Sequence, residues 1–156
     1  MHDNDMDTKS TRRVEIVCFT VEEQDFCIEI SHVLEIRGWT STTTLPHAPE
    51  FVVGMMNLRG TVLPVVDLSL RLGFGKTEPG ERHVIIIAQI DEKVVGFLVD
   101  GVSDIITVDE AEMQVAPDVS SARTQAFLRG VHSVDDKLVR AIDVREVLPQ
   151  AARPDA

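Results

Sequence analysis

Tyrosine is absent from this 156-residue chain, tryptophan occurs once and phenylalanine six times, so aromatic residues make up only 4% of it. The ring platforms that stack single-stranded bases are therefore scarce. Positive charge is short as well: 15 Lys and Arg face 26 Asp and Glu, a net charge of −11. That balance repels phosphate backbones and anionic lipid surfaces, which argues against a general nucleic-acid binder. Two cysteines, Cys18 and Cys27, are too few for a disulfide framework and lack CxxC or Cys/His zinc spacing, so a reducing compartment fits. The opening MHDNDMDTKS has no apolar signal region, and no apolar run reaches about 18 residues. A soluble, cytoplasmic protein without direct membrane insertion is expected.

Hydrophobic residues nevertheless make up 44% of the sequence, and a chain of this length buries about 70% of its unfolded surface. A true core is expected. Short β-type runs recur between turn signals: VEIVCFTV, FCIEI, FVVGMMNL, TVLPVVDL, HVIIIAQI, VVGFLVDGV, AFLRGVHSV and KLVRAIDV. The pattern predicts an all-β barrel or sandwich class. Short helices are expected after Asp67 (DLSLRLG) and Asp143 (DVREVLP), each Asp serving as N-cap, with stops at Gly73 and Pro149. The loop GKTEPGER (75–82) divides the globular part, 14–148, into two small β-lobes, about 14–74 and 82–148, with strand exchange at their ends left open. An LRG in each half, at Leu58-Arg59-Gly60 and Leu128-Arg129-Gly130, suggests a weak internal repeat. Residues 1–13 and 149–156 read as mobile tails.

No catalytic constellation is visible. Pairing the first hairpin across the tip EEQD (22–25) sets Cys27 opposite Thr20 and Cys18 opposite Glu29, making the thiols diagonal neighbours roughly 7–8 Å apart and packing groups rather than a disulfide. Asp67 and Asp143 are explained as caps and Asp100-Gly101 as a turn. The five histidines show no ligand spacing, Ser31-His32 lacks the glycines of a nucleophile elbow, and no phosphate-binding glycine loop occurs. No metal and no cofactor are expected. One feature is unusual: GMMNLRGTVLP sets Arg59 beside a turn glycine in an otherwise apolar hairpin. Arg holds carboxylates bidentately, and Glu35, in the equally apolar VLEIRG, is the candidate partner.

The motifs VLEIRG (33–38), FVVGMMNLRGTVLPVVDLSLRLG (51–73) and VVGFLVDGVSDI (94–105), in that order, resemble the chemotaxis coupling protein family, CheW. The resemblance spans 14–148. It implies two SH3-like five-stranded β-barrel subdomains around a shared apolar core, and no catalysis. It also implies partners: the regulatory domain of a CheA-type histidine kinase and the cytoplasmic tips of methyl-accepting chemoreceptors. The protein alone would be a monomer that joins ring assemblies with the kinase. The same domain occurs in the kinase and in receiver-fused couplers, and the short tails here favour the stand-alone form.

By that resemblance a receptor-contacting groove maps to Val33, Glu35, Ile36, Val99, Val102 and Ile105. The Arg59–Glu35 pair matches residues the family retains, and its partial burial would make it matter for coupling more than for folding. Kinase contacts map to Phe51, Val53, Gly54, Met55, Met56 and Gly60, where adaptable Met side chains suit a partner surface. Two departures stand out: Ala141-Ile142-Asp143 replaces a Leu-Leu-Asp, and the loop 115–127 inherits no contacts. Competing readings are a coupler of a non-motility receptor–kinase pathway, a metal-dependent hydrolase gathering Asp67, Asp100, Asp104 and Asp143, and a nucleic-acid-binding barrel.

Overall fold

The computed structural model describes residues 12–115 and 122–149. The tails expected at 1–13 and 149–156 thus lie, apart from residues 12, 13 and 149, outside the described residues, as does much of the loop 115–127. Ten strands occur among the described residues: β1 (Arg13–Val21), β2 (Gln24–Glu29), β3 (Val33–Gly38), β4 (Val52–Leu58), β5 (Thr61–Asp67), β6 (Val84–Ile90), β7 (Lys93–Val99), β8 (Gly101–Asp109), β9 (Leu128–Val134) and β10 (Lys137–Ile142). Helices are short: α1 (Leu68–Leu72), α2 (Ala122–Gln125) and α3 (Val144–Val147), with single 3-10 turns at Ile30–His32 and Glu110–Glu112.

The strands form two five-stranded sheets, β8-β1-β2-β10-β9 and β3-β6-β7-β5-β4. Each curls into an SH3-like barrel. The ends of each sheet meet through a single bridge, Gln114 with Val131 in the first and Thr43 with Met55 in the second. A glycine precedes each bridge partner. A Cβ on Gly130 would lie 2.5 Å from the Gln114 carbonyl oxygen, and one on Gly54 2.7 Å from that of Thr43. Only a residue without a side chain lets the crossing backbones approach so closely.

The two chain halves do not each form a barrel. The hairpin β1–β2 pairs with β8, β9 and β10, while β6–β7 pairs with β3, β4 and β5, so each barrel takes two strands from one half and three from the other. Each exchanged hairpin is held on one side by an antiparallel ladder, β1 on β8 and β6 on β3, and on the other by a short parallel one, β2 on β10 and β7 on β5. The loop 75–82 therefore marks the repeat but not a lobe boundary. The repeat itself is real and shifted from the LRG pair. Phe51 and Phe127, Gly54 and Gly130, Met55 and Val131, and Asp67 and Asp143 correspond at one constant offset. The Asp67 N–H donates to the Phe51 carbonyl (2.7 Å) and the Asp143 N–H to that of Phe127 (2.8 Å). Leu58-Arg59-Gly60 forms the β4–β5 turn, whereas Leu128-Arg129-Gly130 opens a strand.

Burial follows from this exchange. Ile85, Ile87, Leu63, Val65 and Leu98 fill one barrel, and Ile16, Cys18, Cys27, Val139 and Ala141 fill the other. The alternate residues Ile86, Ala88 and Ile90 turn to a shared core with Phe19, Phe26, Val66, Phe97 and Ile142. A strand buried on both faces needs no polar alternation, which is why β6 reads as an unbroken apolar run over residues 84–88 before the exposed Gln89. Helices α1 and α3 seal this core and stand where the sequence predicts them. The Asp67 carboxylate accepts from the Leu70 N–H (3.3 Å) and that of Asp143 from Arg145 N–H (3.2 Å). Gly73, at φ 99°, ends α1.

The first hairpin corrects the sequence reading. Its turn is Glu22–Glu23 alone, both at positive φ, so Val21 pairs with Gln24 and Cys18 lies directly opposite Cys27. The positive φ at both central residues fits the primed turns whose twist matches a tight hairpin, a geometry that the residue pair Glu-Glu does not advertise. Both thiols are free and buried.

Candidate functional site

β3 and β8 each end one of the two sheets, as do β4 and β9. Five of the six groove residues lie on β3 and β8. Val33 and Val102 are half-buried against the shared core, and Ile36 and Ile105 point to solvent. A register shift between Val33 and Glu35 makes Leu34 a bulge and leaves it 52% exposed, an apolar side chain that the sequence reading passed over. Val99 differs from the expectation: it is the last residue of β7 and is buried in the shared core, so it supports the surface rather than lining it.

Glu35 faces the tip of the β4–β5 hairpin. Both terminal nitrogens of Arg59 donate to its Oε1, Nη1 at 3.1 Å, and Arg37 Nη1 donates to Oε2 at 3.2 Å. The Arg59 side chain is 68% exposed and that of Glu35 26%, so the partial burial expected from the sequence holds for the carboxylate only. Arg59 sits at φ 50° and Gly60 at φ 89°, a tight turn closed by the Gly60 N–H on Asn57 Oδ1 (2.9 Å). Since β3 and β4 are opposite ends of one sheet, this charge cluster straps the barrel where the sheet closes.

The six positions mapped to kinase contact divide. Met56 is buried in the barrel interior, Gly54 is packed under Thr42 and Thr43, and Val53 packs against the same interior. Phe51 packs against the shared core with the Arg71 guanidinium 4.2 Å over its ring. Met55 points outward and, with Leu45, Pro49, Val52, Val62 and Pro64, lines an open, mainly apolar cleft of about 480 Å³. Val62 is 60% exposed. A bulge at Val53 resets the alternation of β4, and the exposed residues include Leu45 and Val62, which the motif alone did not single out.

The remaining polar groups have structural employment. Asp67 is buried, and besides capping α1 it accepts from the Thr77 N–H and hydroxyl, both at 2.7 Å, anchoring the loop that follows. Asp100, between β7 and β8, accepts from the Glu22 N–H at 2.8 Å. Its other oxygen lies 3.7 Å from His83 Nε2, while His83 Nδ1 accepts from the Gly80 N–H (3.0 Å). These groups border an open polar cleft of about 740 Å³ with Lys76, Glu78 and Arg82. The four aspartates of the hydrolase reading are not gathered: no group of three or more His, Cys, Asp or Glu able to hold a metal exists among the described residues. Burial raises the Cys18 thiol to about 11 and the Cys27 thiol to about 12, the opposite of an activated nucleophile. His132 is buried, and that burial, with the Arg129 guanidinium, holds its imidazole below the usual range.

Among the described residues no helix is long and apolar enough to cross a membrane. The CheW-like domain profile matches residues 15–152. A protein named chemotaxis protein CheW from Rhizobium meliloti is 47% identical over 142 residues, covering 91% of this chain and 92% of that one. Another of that name, from Bacillus subtilis, is 34% identical over 145 residues, covering 90% and 92%. The crystal structure of the scaffolding protein TtCheW from Thermoanaerobacter tengcongensis superimposes with a TM-score of 0.79 at 32% identity, covering 91% of this chain and 92% of that one. Matched over most of its length by this domain and these relatives, the chain belongs to the CheW-like domain family.

Proposed function

We propose that this chain is a non-catalytic adaptor of chemotaxis signalling that joins the cytoplasmic tip of a chemoreceptor to the regulatory domain of a CheA-type histidine kinase. The observation that carries this reading is the presence of two separate exposed apolar features on a rigid β scaffold. One lies on the edge strands β3 and β8, with Leu34, Ile36 and Ile105 exposed; the other is the β4–β5 cleft around Val62 and Met55. A helical hairpin tip presents an apolar stripe suited to the first. The cleft, rimmed by prolines and an adaptable Met, suits a second folded domain. Holding both partners raises their effective concentration for each other, with no bond made or broken. The chemotaxis names of the relatives support this partner choice.

Calorimetric titration into the isolated kinase regulatory domain, and separately into a receptor-tip fragment, tests the reading. One-to-one binding at about micromolar affinity is expected for each. Absence of binding to both, or turnover of ATP by the pure protein, overturns it.

A further inference from the structure

Arg71 stands in the last turn of α1, where an arginine ordinarily serves the carbonyls of its own helix. Here its side chain crosses to the other barrel. Nε and Nη2 donate to the carbonyls of Val147 (3.3 Å) and Glu146 (3.1 Å), at the end of α3. Its guanidinium carbon also lies 4.2 Å over the Phe51 ring and 4.8 Å over the Phe127 ring. Phe51 and Phe127 are the equivalent residues of the two repeats, each accepting from the capping Asp of its own repeat. One planar cation is therefore sandwiched between the two halves of the pseudo-symmetric molecule. It lies over two aromatic rings and donates to two carbonyls, a set of partners that a lysine cannot match.

The position bears differently on the two exposed surfaces. Phe51 leads directly into Val52 and the outer face of β4, which line the apolar cleft. Phe127 leads into β9, in the barrel that carries β8. The proposed receptor surface draws β3 from one barrel and β8 from the other, so its width depends on how the barrels are set against each other. The cleft lies almost wholly in one barrel and does not depend on that setting. Further ties cross the junction, among them the Thr124 hydroxyl to the Leu72 carbonyl (2.7 Å), Arg123 Nη2 to the Leu70 carbonyl (3.5 Å), the exposed Arg145–Asp91 pair and, at the β7–β8 corner, the Asp100 N–H to the Thr20 carbonyl (2.9 Å).

We infer that Arg71 is a positioning residue, which fixes the angle between the barrels and through it the geometry of the β3/β8 surface, without touching either partner. The partner-binding consequence rests on the function proposed above; the angular consequence does not. Nitroxide labels at Gln89→Cys and Ser133→Cys, exposed strand positions in different barrels, report the angle by pulsed dipolar spectroscopy, with Cys18 and Cys27 buried and unlabelled. A single narrow distance distribution is expected with Arg71 present, a broadened or shifted one in Arg71→Gln, and an intermediate one in Arg71→Lys. Phe127→Leu, which removes one ring and keeps the carbonyl contacts, should broaden it too and serves if Arg71→Gln fails to fold.

In calorimetry, Arg71→Gln should bind the kinase regulatory domain within about twofold of the parent and the receptor tip at least about tenfold more weakly. A simple loss of stability would weaken both alike. An unchanged distance distribution overturns the inference whatever the binding data, and so does equal weakening of both partners. If the parent protein binds neither partner, the proposed function fails while the distance measurement still decides the role of Arg71.

Discussion

Replacing Arg59 by alanine should leave the protein folded, and its cost can be worked from the geometry. The substitution removes two donors from Glu35 Oε1, but Arg37 remains 3.2 Å from Oε2, so the carboxylate keeps a cation. Glu35 retains access to water, and the departing side chain is mostly in solvent, the regime in which an ion pair contributes about 0.2–1 kcal/mol. Backbone strain at φ 50° persists with alanine, since only glycine is relieved there. The total is about 1 kcal/mol at most, a fall in melting temperature of about 2–4 °C for a domain of this size. Arg59→Gly should lose the same pair while relieving the turn, and should melt close to the parent. Scanning calorimetry on the two variants measures this. A melting temperature more than about 8 °C lower for Arg59→Ala, or outright unfolding, refutes the surface-strap description and requires the pair to be part of the core.

Three further outcomes follow from the packing. Because His132 is held below its ordinary value, the unfolded chain takes up a proton there that the folded chain resists; stability should therefore fall as pH drops below about 6.5 and level once the folded imidazole is also protonated, with a slope of at most about 1.4 kcal/mol per pH unit. Denaturant melts at stepped pH check this, and His132→Gln should flatten that part of the profile. Gly130→Ala should cost more than about 2 kcal/mol or prevent folding, since the new methyl meets the Gln114 backbone oxygen, whereas Gly38→Ala, with open space around it, should be nearly neutral. Cys18 and Cys27 should resist a thiol-specific chromogenic reagent at neutral pH and react fully in denaturant, as thiols raised to about 11 and about 12 behave; rapid native labelling would contradict their burial.

Local signals in the sequence were legible and long-range pairing was not. Asp67 and Asp143 announced their helices because a capping carboxylate followed by spaced apolar residues is a contiguous pattern. Strands β3 and β8 carry no clean alternation, because their exposed faces set Leu34, Ile36 and Ile105 alongside Arg37, Asp104 and Thr107. They are also the strands on which most of the groove residues lie. The register of the first hairpin failed by its turn, since Glu22 and Glu23 adopt positive φ without the Asn or Gly that usually signals it. The exchange of hairpins between barrels depends on long-range ladders, β1 on β8 and β3 on β6 antiparallel and β5 on β7 and β10 on β2 parallel, which leave no local trace. Arg59 and Glu35 could be paired by chemistry alone, both being charges isolated in apolar company. Leu45 and Val62 could not, because exposure of an apolar side chain is a property of the closed barrel.

The central claim is that two partners occupy two different surfaces of one rigid body, and paired surface variants test it most directly. Val62→Asp places a carboxylate in the apolar cleft, and Ile105→Asp places one on β8; both parent residues are exposed, so each variant should fold. Titrated against the kinase regulatory domain and the receptor tip in turn, Val62→Asp should lose kinase binding and keep receptor binding, while Ile105→Asp should do the reverse. Loss of both partners in either folded variant, or of neither in both, would contradict the two-surface adaptor.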